Sequence, residues 1–364
     1  MTKRLVQWDL LRTIAMSFVV VCHTAPYLGP IRSINTNVAV AEFGLLCDPV
    51  FFALSGYFAI RPLKVSFGNY LFKKFWDIVL PLFTYTLCVL AYNLARGAVE
   101  LNWGSCIAWC YNIITGGYWF IPCLIPFLIL APFLEEMFSS LSEKTIGILE
   151  RLVYIAAIWG IAISVIAFSS TRPSVANIAW TMTALLPPFV VPGGYFVCFC
   201  LGYFLRRAEG HITSSQFKAL VAIGLVSWIA CPVLAVLGYQ RLDPSYLWFP
   251  ATVAIFLLFS RMEFRGKRNS VAISFLARHS YAVYLLQCTT IDFVYGHIGL
   301  FSVLDGTPTL PGIERLFLQG LAVLLSYGLA VLIGFAIDET LVKLAKLGFA
   351  RIARLFEPVA GNLN

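Results

Sequence analysis

The sequence predicts an all-α fold: a polytopic membrane helix bundle of about ten transmembrane helices with both termini in the cytoplasm. Three observations lead there. Hydrophobic residues make up 60% of the 364-residue chain and charged residues only 12%, with a mean hydropathy of +0.83, more apolar surface than one soluble core can bury. The apolar residues gather into stretches of roughly membrane-spanning length. The basic residues favour the loops on one side of those stretches.

Hydropathy places the spans at approximately 8–28, 43–60, 76–95, 118–138, 152–169, 194–206, 218–238, 245–261, 279–296 and 315–337. The first is a retained span and not a cleaved signal, because the apolar run from Leu10 to Tyr27 keeps Arg12 and continues without a small-residue cleavage site. Before the third, the stretch Phe67 to Asp77 mixes Lys73 and Lys74 with Tyr70, Phe72, Phe75 and Trp76, as an amphipathic helix on the cytoplasmic surface would. The outer segments 96–117 and 171–193 carry Trp, Pro or Gly among apolar residues, so each lies on the interface or dips back into the protein. Pro187, Pro188 and Pro192, with Gly193 and Gly194, argue against a continuous helix in the second of them. The fourth span opens on Tyr118-Trp119-Phe120 and the ninth on Ser280-Tyr281. No linker, long polar tract or tandem repeat divides the chain, so residues 1–364 are expected to form one membrane domain.

Charge orients the bundle. The N-terminus and the even-numbered loops hold Lys3, Arg4, Arg61, Lys64, Lys73, Lys74, Lys144, Arg151, Arg206, Arg207, Lys218, Arg261, Arg265, Lys267 and Arg268, and the C-terminus adds Lys343, Lys346, Arg351 and Arg354. The opposite loops hold only Arg32, Arg96, Arg172, Arg241 and Arg315. Positive-inside therefore puts both termini in the cytoplasm, and the formal charge of +8 is a topology signal. No RNA- or DNA-binding motif accompanies it, so the expected surroundings are membrane lipids and not nucleic acid. Most of the ten cysteines lie in apolar spans without a CxxC pair, as small hydrophobes do. Only Cys106 and Cys110 are placed to pair on the outer side, and i, i+4 on a helix is poor disulfide geometry.

Ionisable residues inside spans are functional candidates by default, since a charged Arg at the bilayer centre costs about 2.5 to 3.5 kcal/mol on insertion scales. The first span carries Arg12 and His23, with mostly apolar residues from Thr13 to Cys22 between them. At 100° per residue that separation comes within about 20° of three full turns, so both side chains share one helix face, roughly 16 Å apart along the axis. Their surroundings carry further landmarks. The first span reads Asp9-Leu10-Leu11-Arg12-Thr13-Ile14-Ala15 before ending with His23, and the second contains Phe51-Phe52-Ala53-Leu54-Ser55-Gly56-Tyr57. Tyr118-Trp119-Phe120 opens the fourth and Ser280-Tyr281-Ala282-Val283-Tyr284-Leu285 the ninth.

In this order, and over nearly the whole chain, these landmarks resemble the bacterial integral-membrane acyltransferase-3 family, whose best known members O-acetylate lipopolysaccharide O-antigen, capsules and other envelope glycans. The resemblance implies a multi-pass enzyme of the inner, cytoplasmic membrane. It would take an acetyl or similar short acyl group from cytosolic acetyl-CoA, or a related acyl-CoA, and pass it to a hydroxyl of an envelope glycan or lipid-linked sugar. Arg12 and His23 match the family's Arg-x10-His pair. Many relatives carry a histidine where Gln287 follows Tyr284-Leu285-Leu286, so acid/base work is not assigned to that position. Some also carry a C-terminal periplasmic esterase-like domain, which is not expected here, so acyl relay is direct or involves another protein.

Acyl transfer to a hydroxyl needs a base, a donor for the developing oxyanion and a hold on the acyl-CoA. His23, with an ordinary pKa of about 6.5, is the best base, and its bland alternative is a helix-end histidine bonded near Pro26 and Tyr27. Arg12 either grips a phosphate or carbonyl of the donor or snorkels to headgroups and pairs with Asp9 at i, i+3. Lys73, Lys74, Arg206, Arg207 and Arg268 are the most plausible partners of the nucleotide's phosphates, against a plain topological role. Asp48 and Asp292 fall at about the depth of His23. Asp48 is the better placed to orient or charge it, or to bind sugar hydroxyls, and otherwise caps its own helix before Pro49. Tyr118 and Trp119 stack on a sugar or form part of an aromatic belt. Tyr281 and Tyr284 fit packing as well as substrate contact, and Ser55 beside Gly56 fits close packing better than nucleophilic attack. No His, Cys, Asp or Glu cluster has ligand spacing, so no metal is expected.

Two readings compete with an enzyme. A proton-coupled transporter would use His23, Asp48 and Asp292 as a relay and would show inverted repeats. A purely structural membrane partner would leave the arginine–histidine spacing without a task. Oligomeric state is left open, a homo-oligomer included.

Overall fold

The computed structural model describes residues 5–31, 34–115, 117–168, 195–238, 245, 247–264, 267–299 and 312–356. Among these the architecture is all-helical. The order is α1 (Val6–Leu28), α2 (Thr36–Gly44), α3 (Cys47–Ala59), α4 (Phe67–Lys74), α5 (Leu80–Ala95), α6 (Trp103–Thr115), α7 (Phe120–Ser140) and α8 (Glu143–Phe168). Then come α9 (Phe196–Ala208), α10 (Ser214–Val236), α11 (Trp248–Ser260), α12 (Lys267–Arg278), α13 (Ser280–His297), α14 (Gly312–Ile337) and α15 (Lys343–Phe356). A π turn, Phe75–Val79, joins α4 to α5, and another, Asp338–Val342, joins α14 to α15.

Among the described residues, six helical runs are long and apolar enough to cross a membrane: Val6–Leu28, Thr36–Ala59, Phe67–Ala95, Phe120–Ser140, Ser214–Val236 and Gly312–Ala350. The chain is therefore a multi-pass membrane protein. The other expected spans, at 152–169, 194–206, 245–261 and 279–296, also coincide with helices. Two of them, α9 and α11, are mostly buried and only 13 residues long, short of a full crossing, although α11 is an apolar helix. α13 is buried along much of its length, which lets it carry Gln287, Thr289, Thr290 and Asp292. The expected outer segment 171–193, with Pro187 and Pro188, lies outside the described residues. In the other, 96–117, α6 lies against α5, where the Trp109 Nε1–H donates to the Thr86 carbonyl at 3.2 Å. All ten cysteines, Cys106 and Cys110 included, are free thiols.

Two expected boundaries move. The span placed at 43–60 begins at Thr36 and breaks at Leu45-Leu46, so that Pro49 falls in the first turn of α3, where a missing N–H costs nothing. The span placed at 76–95 runs continuously from the amphipathic stretch at Phe67. Pro81 removes the N–H that would bond one turn back to residue 77, and the helix widens into the π turn directly before it.

The tightest packing is between α3 and α9. A Cβ on Gly56 would lie 1.7 Å from the Phe199 carbonyl oxygen, and one on Gly202 would lie 2.0 Å from the Ala53 carbonyl oxygen. The two backbones are thus in contact, which only small residues permit. Arg315, expected in a loop, is instead buried. Its guanidinium donates to the Leu28 carbonyl and, at 3.1 Å, to the Pro30 carbonyl, closing the C-terminus of α1 where the chain turns at Gly29 with φ 65°. A cation is favoured at that end of a helix by the dipole and by its open carbonyls.

Candidate functional site

A cavity of about 850 Å³ runs along α1. Arg12, Met16, Val19 and His23 line it at i, i+4, i+7 and i+11, one face of the helix. The α2–α3 turn contributes Leu45, Cys47, Asp48 and Phe51, and the π turn contributes Asp77 and Ile78. The start of α7 brings Trp119 and Phe120, and the α12–α13 junction brings Arg278, Ser280, Tyr281 and Tyr284. Of the residues singled out in the sequence, Arg12, His23, Asp48, Trp119 and Tyr281 therefore meet around one space. A smaller cavity of about 210 Å³ shares Arg12, Phe51 and Ile78 with it and adds Ser55 and Lys74.

Arg12 pairs with Asp9, one of the two roles expected of it, and also faces the cavities. Its guanidinium lies 3.7 Å from Asp9 Oδ1 and over the Phe58 ring at 5.9 Å, while lining both cavities. Asp9 in turn accepts from the Ser274 hydroxyl at 2.9 Å, which ties α1 to α12. His23 is exposed on its face of α1. Asp48 accepts from the Cys47 thiol at 3.4 Å, in the first turn of α3, where the helix dipole favours an anion. Tyr281 and Tyr284 are held by scaffold bonds. The Tyr281 hydroxyl donates to the Ile78 carbonyl at 2.9 Å, and the Tyr284 hydroxyl oxygen accepts from the Phe120 N–H at 3.3 Å.

Other candidates lie elsewhere. The Tyr118 hydroxyl donates to the Leu285 carbonyl at 3.4 Å, outside the cavity lining. Asp292 is exposed and accepts from the Tyr27 hydroxyl at 3.4 Å. Lys73 is exposed on α4, and the side chain of Arg268 lies outside the described residues. Arg207 is paired with Glu143 and, at 3.2 Å, with Glu150. Arg206 donates to the Tyr57 carbonyl and, at 2.6 Å, to the Ile60 carbonyl, closing the end of α3. Next to it the Tyr57 hydroxyl donates to Glu209 Oε1 at 2.8 Å. Burial raises the Glu209 carboxyl above its ordinary pKa, against the hydrogen bond from Tyr57 and the charges of Arg206 and Arg61. Because Arg206 closes a helix end away from the cavity, Arg206→Ala is expected to lower stability by about 1.5 to 3 kcal/mol. Thermal unfolding of the purified variant checks it.

Sequence reasoning missed Arg278 and Asp77 as members of the site. Arg278 directly precedes the span expected at 279–296, next to the Ser280-Tyr281 landmark, and no periodicity marks it. It sits beside His279, whose Nδ1 is 3.0 Å from Asp338 Oδ2, while Asp338 Oδ1 accepts from the Tyr85 hydroxyl at 2.8 Å. That part-buried network joins α5, the start of α13 and the π turn after α14. Asp77 had a signal in Pro81, whose missing N–H predicts a helix irregularity just upstream.

The arrangement offers two cations, Arg12 and Arg278, a histidine and two carboxylates, Asp48 and Asp77, around a common space, with aromatic walls. Among the described residues no group of three or more His, Cys, Asp or Glu side chains is placed to hold a metal ion. A family model described as an acyltransferase domain matches residues 5–338. No curated protein and no solved structure matches the chain.

Proposed function

We propose, because this chain belongs to the acyltransferase-3 family, that it moves an acetyl or similar short acyl group from cytosolic acyl-CoA to a hydroxyl of an envelope glycan or lipid-linked sugar. The observation that carries the reading is the single cavity that Arg12 and His23 line from one face of α1. In this reading the chain spans the inner membrane about ten times with both termini in the cytoplasm, so the Arg12 end of the cavity is the cytosolic one. Arg12 and Arg278 then hold the anionic or carbonyl groups of the donor, with Lys74 alongside. Lys73 stands on the adjoining surface helix, where it attracts the donor through its charge.

The acyl chain and thioester lie toward His23. The acceptor hydroxyl gives its proton to the His23 imidazole as its oxygen attacks the thioester carbonyl. A C–O bond forms, the C–S bond breaks, and the CoA thiolate leaves and is protonated from the imidazolium. Asp48 orients the imidazole or the acceptor hydroxyls, and Trp119 stacks on the sugar.

A relay through His23, Asp48 and Asp292 is less well supported, because Asp292 stands outside the cavity lining. The test is transfer of radiolabel from [acetyl-¹⁴C]acetyl-CoA to the glycan fraction of membranes with and without the protein. Label appearing only with the protein supports the enzyme, and none above background overturns it. In the same assay Asp48→Asn is expected to lower transfer by about tenfold or more at normal membrane abundance. Full activity of that variant removes Asp48 from the mechanism.

A further inference from the structure

We propose that the C-terminal helix α15, which lies beyond the residues matched to the family, completes the donor site. Lys346 is a phosphate-binding residue for acyl-CoA, held at the cavity by Asp77 until a phosphate takes the carboxylate's place. The inference rests on the acyl-CoA reading above.

The argument starts from the π turn. Asp77 lines the main cavity, and Lys346 Nζ lies 3.8 Å from its Oδ1. Lys346 therefore stands beside a residue of the cavity that Arg12 and Arg278 line, near the C-terminal end of the last long helical run, Gly312–Ala350. The placement of α15 is fixed by packing. Phe349 meets Phe75 of the π turn edge to face, with centroids 6.3 Å apart, and Leu344 and Leu347 are exposed for contact with lipid.

The ion pair itself is loose. At 3.8 Å, with the Lys346 and Asp77 side chains 32% and 49% exposed, it belongs to the class of surface pairs that contribute little to stability. A phosphate offers more charge and more acceptor oxygens than one carboxylate, so it competes successfully for the ammonium. The flexible four-carbon stem lets Lys346 turn from Asp77 to such a ligand without moving the helix. Lys343, one turn before it, is paired with Glu339 on the same helical run and serves as the internal control.

The experiment titrates coenzyme A against the full-length protein in phosphatidylcholine nanodiscs by equilibrium dialysis. Lys346→Met keeps the stem and removes the charge. It is expected to weaken binding about five- to tenfold and to flatten the salt dependence, while Lys346→Arg and Lys343→Met bind like wild type. A second readout needs no variant. Saturating coenzyme A should protect Lys346, but not Lys343, from an amine-acylating reagent, as scored by mass spectrometry. If wild type binds coenzyme A while Lys346→Met binds equally well, or Lys346 is labelled equally with and without ligand, this inference is overturned and the donor reading stands. If wild type binds no coenzyme A, the donor reading itself falls.

Discussion

His23→Ala is expected to leave a folded protein whose acyl-transfer rate drops by about 10²- to 10⁴-fold, the range a positioned general base contributes. Folding should survive because the imidazole is exposed and is not part of the packed core. Truncating it therefore removes a reactive group without opening a void. The loss should fall on kcat, since the base acts on the proton in flight and not on the donor's phosphates. Steady-state rates at saturating acetyl-CoA, alongside a thermal unfolding curve, measure both. Partial recovery with added imidazole would identify a missing base in place of a missing shape. Wild-type turnover in the alanine variant would remove His23 from the chemistry.

The other large effect is on assembly. Gly56→Ala would set a methyl group 1.7 Å from the Phe199 carbonyl oxygen, a backbone atom that cannot rotate away. The neighbouring contact offers no slack, because Gly202 already meets the Ala53 carbonyl from the opposite helix. Overpacking usually costs about 1 to 3 kcal/mol, and a backbone collision at the closest helix crossing belongs at or above the top of that range. The variant should lose most of its monodisperse protein after detergent extraction and unfold well below wild type. Gly68→Ala is the matched control, since nothing lies within 4 Å of the added carbon and alanine favours the helix. Equal stability of the two variants would show that α3 and α9 are free to part.

How much of this was legible in the sequence depends on how local each feature is. The first span was placed at 8–28 and is the helix Val6–Leu28, and the facing of Arg12 and His23 follows from helical geometry alone. Ser55-Gly56 was read as a packing point because small residues let helices approach, and Gly56 is such a contact. Features set by tertiary neighbours were out of reach. Arg206 and Arg315 counted as topology charges, yet each closes the carbonyl end of a helix distant in sequence. No pattern along one chain tells which helix end an arginine will meet. Arg278 and Asp77 reach the cavity only because α12, α13 and the π turn converge on α1. Among the described residues six runs stand out as spanning, whereas α9 and α11, at 13 residues each, fall short of a full crossing and are held inside the protein.

The polar-ended cavity beside α1 has an electrical side as well. Arg12 and His23 are separated by roughly 16 Å of helical rise, about half the thickness of the 30 Å hydrocarbon slab. Water filling a cavity of that length would shorten the insulating path, so the resting voltage would fall mainly across what remains. Carrying one elementary charge through the full drop involves about 2.3 kcal/mol per 100 mV. In the proposed reaction the proton that His23 takes from the acceptor is returned to the leaving thiolate, so the cycle itself moves no net charge across that drop.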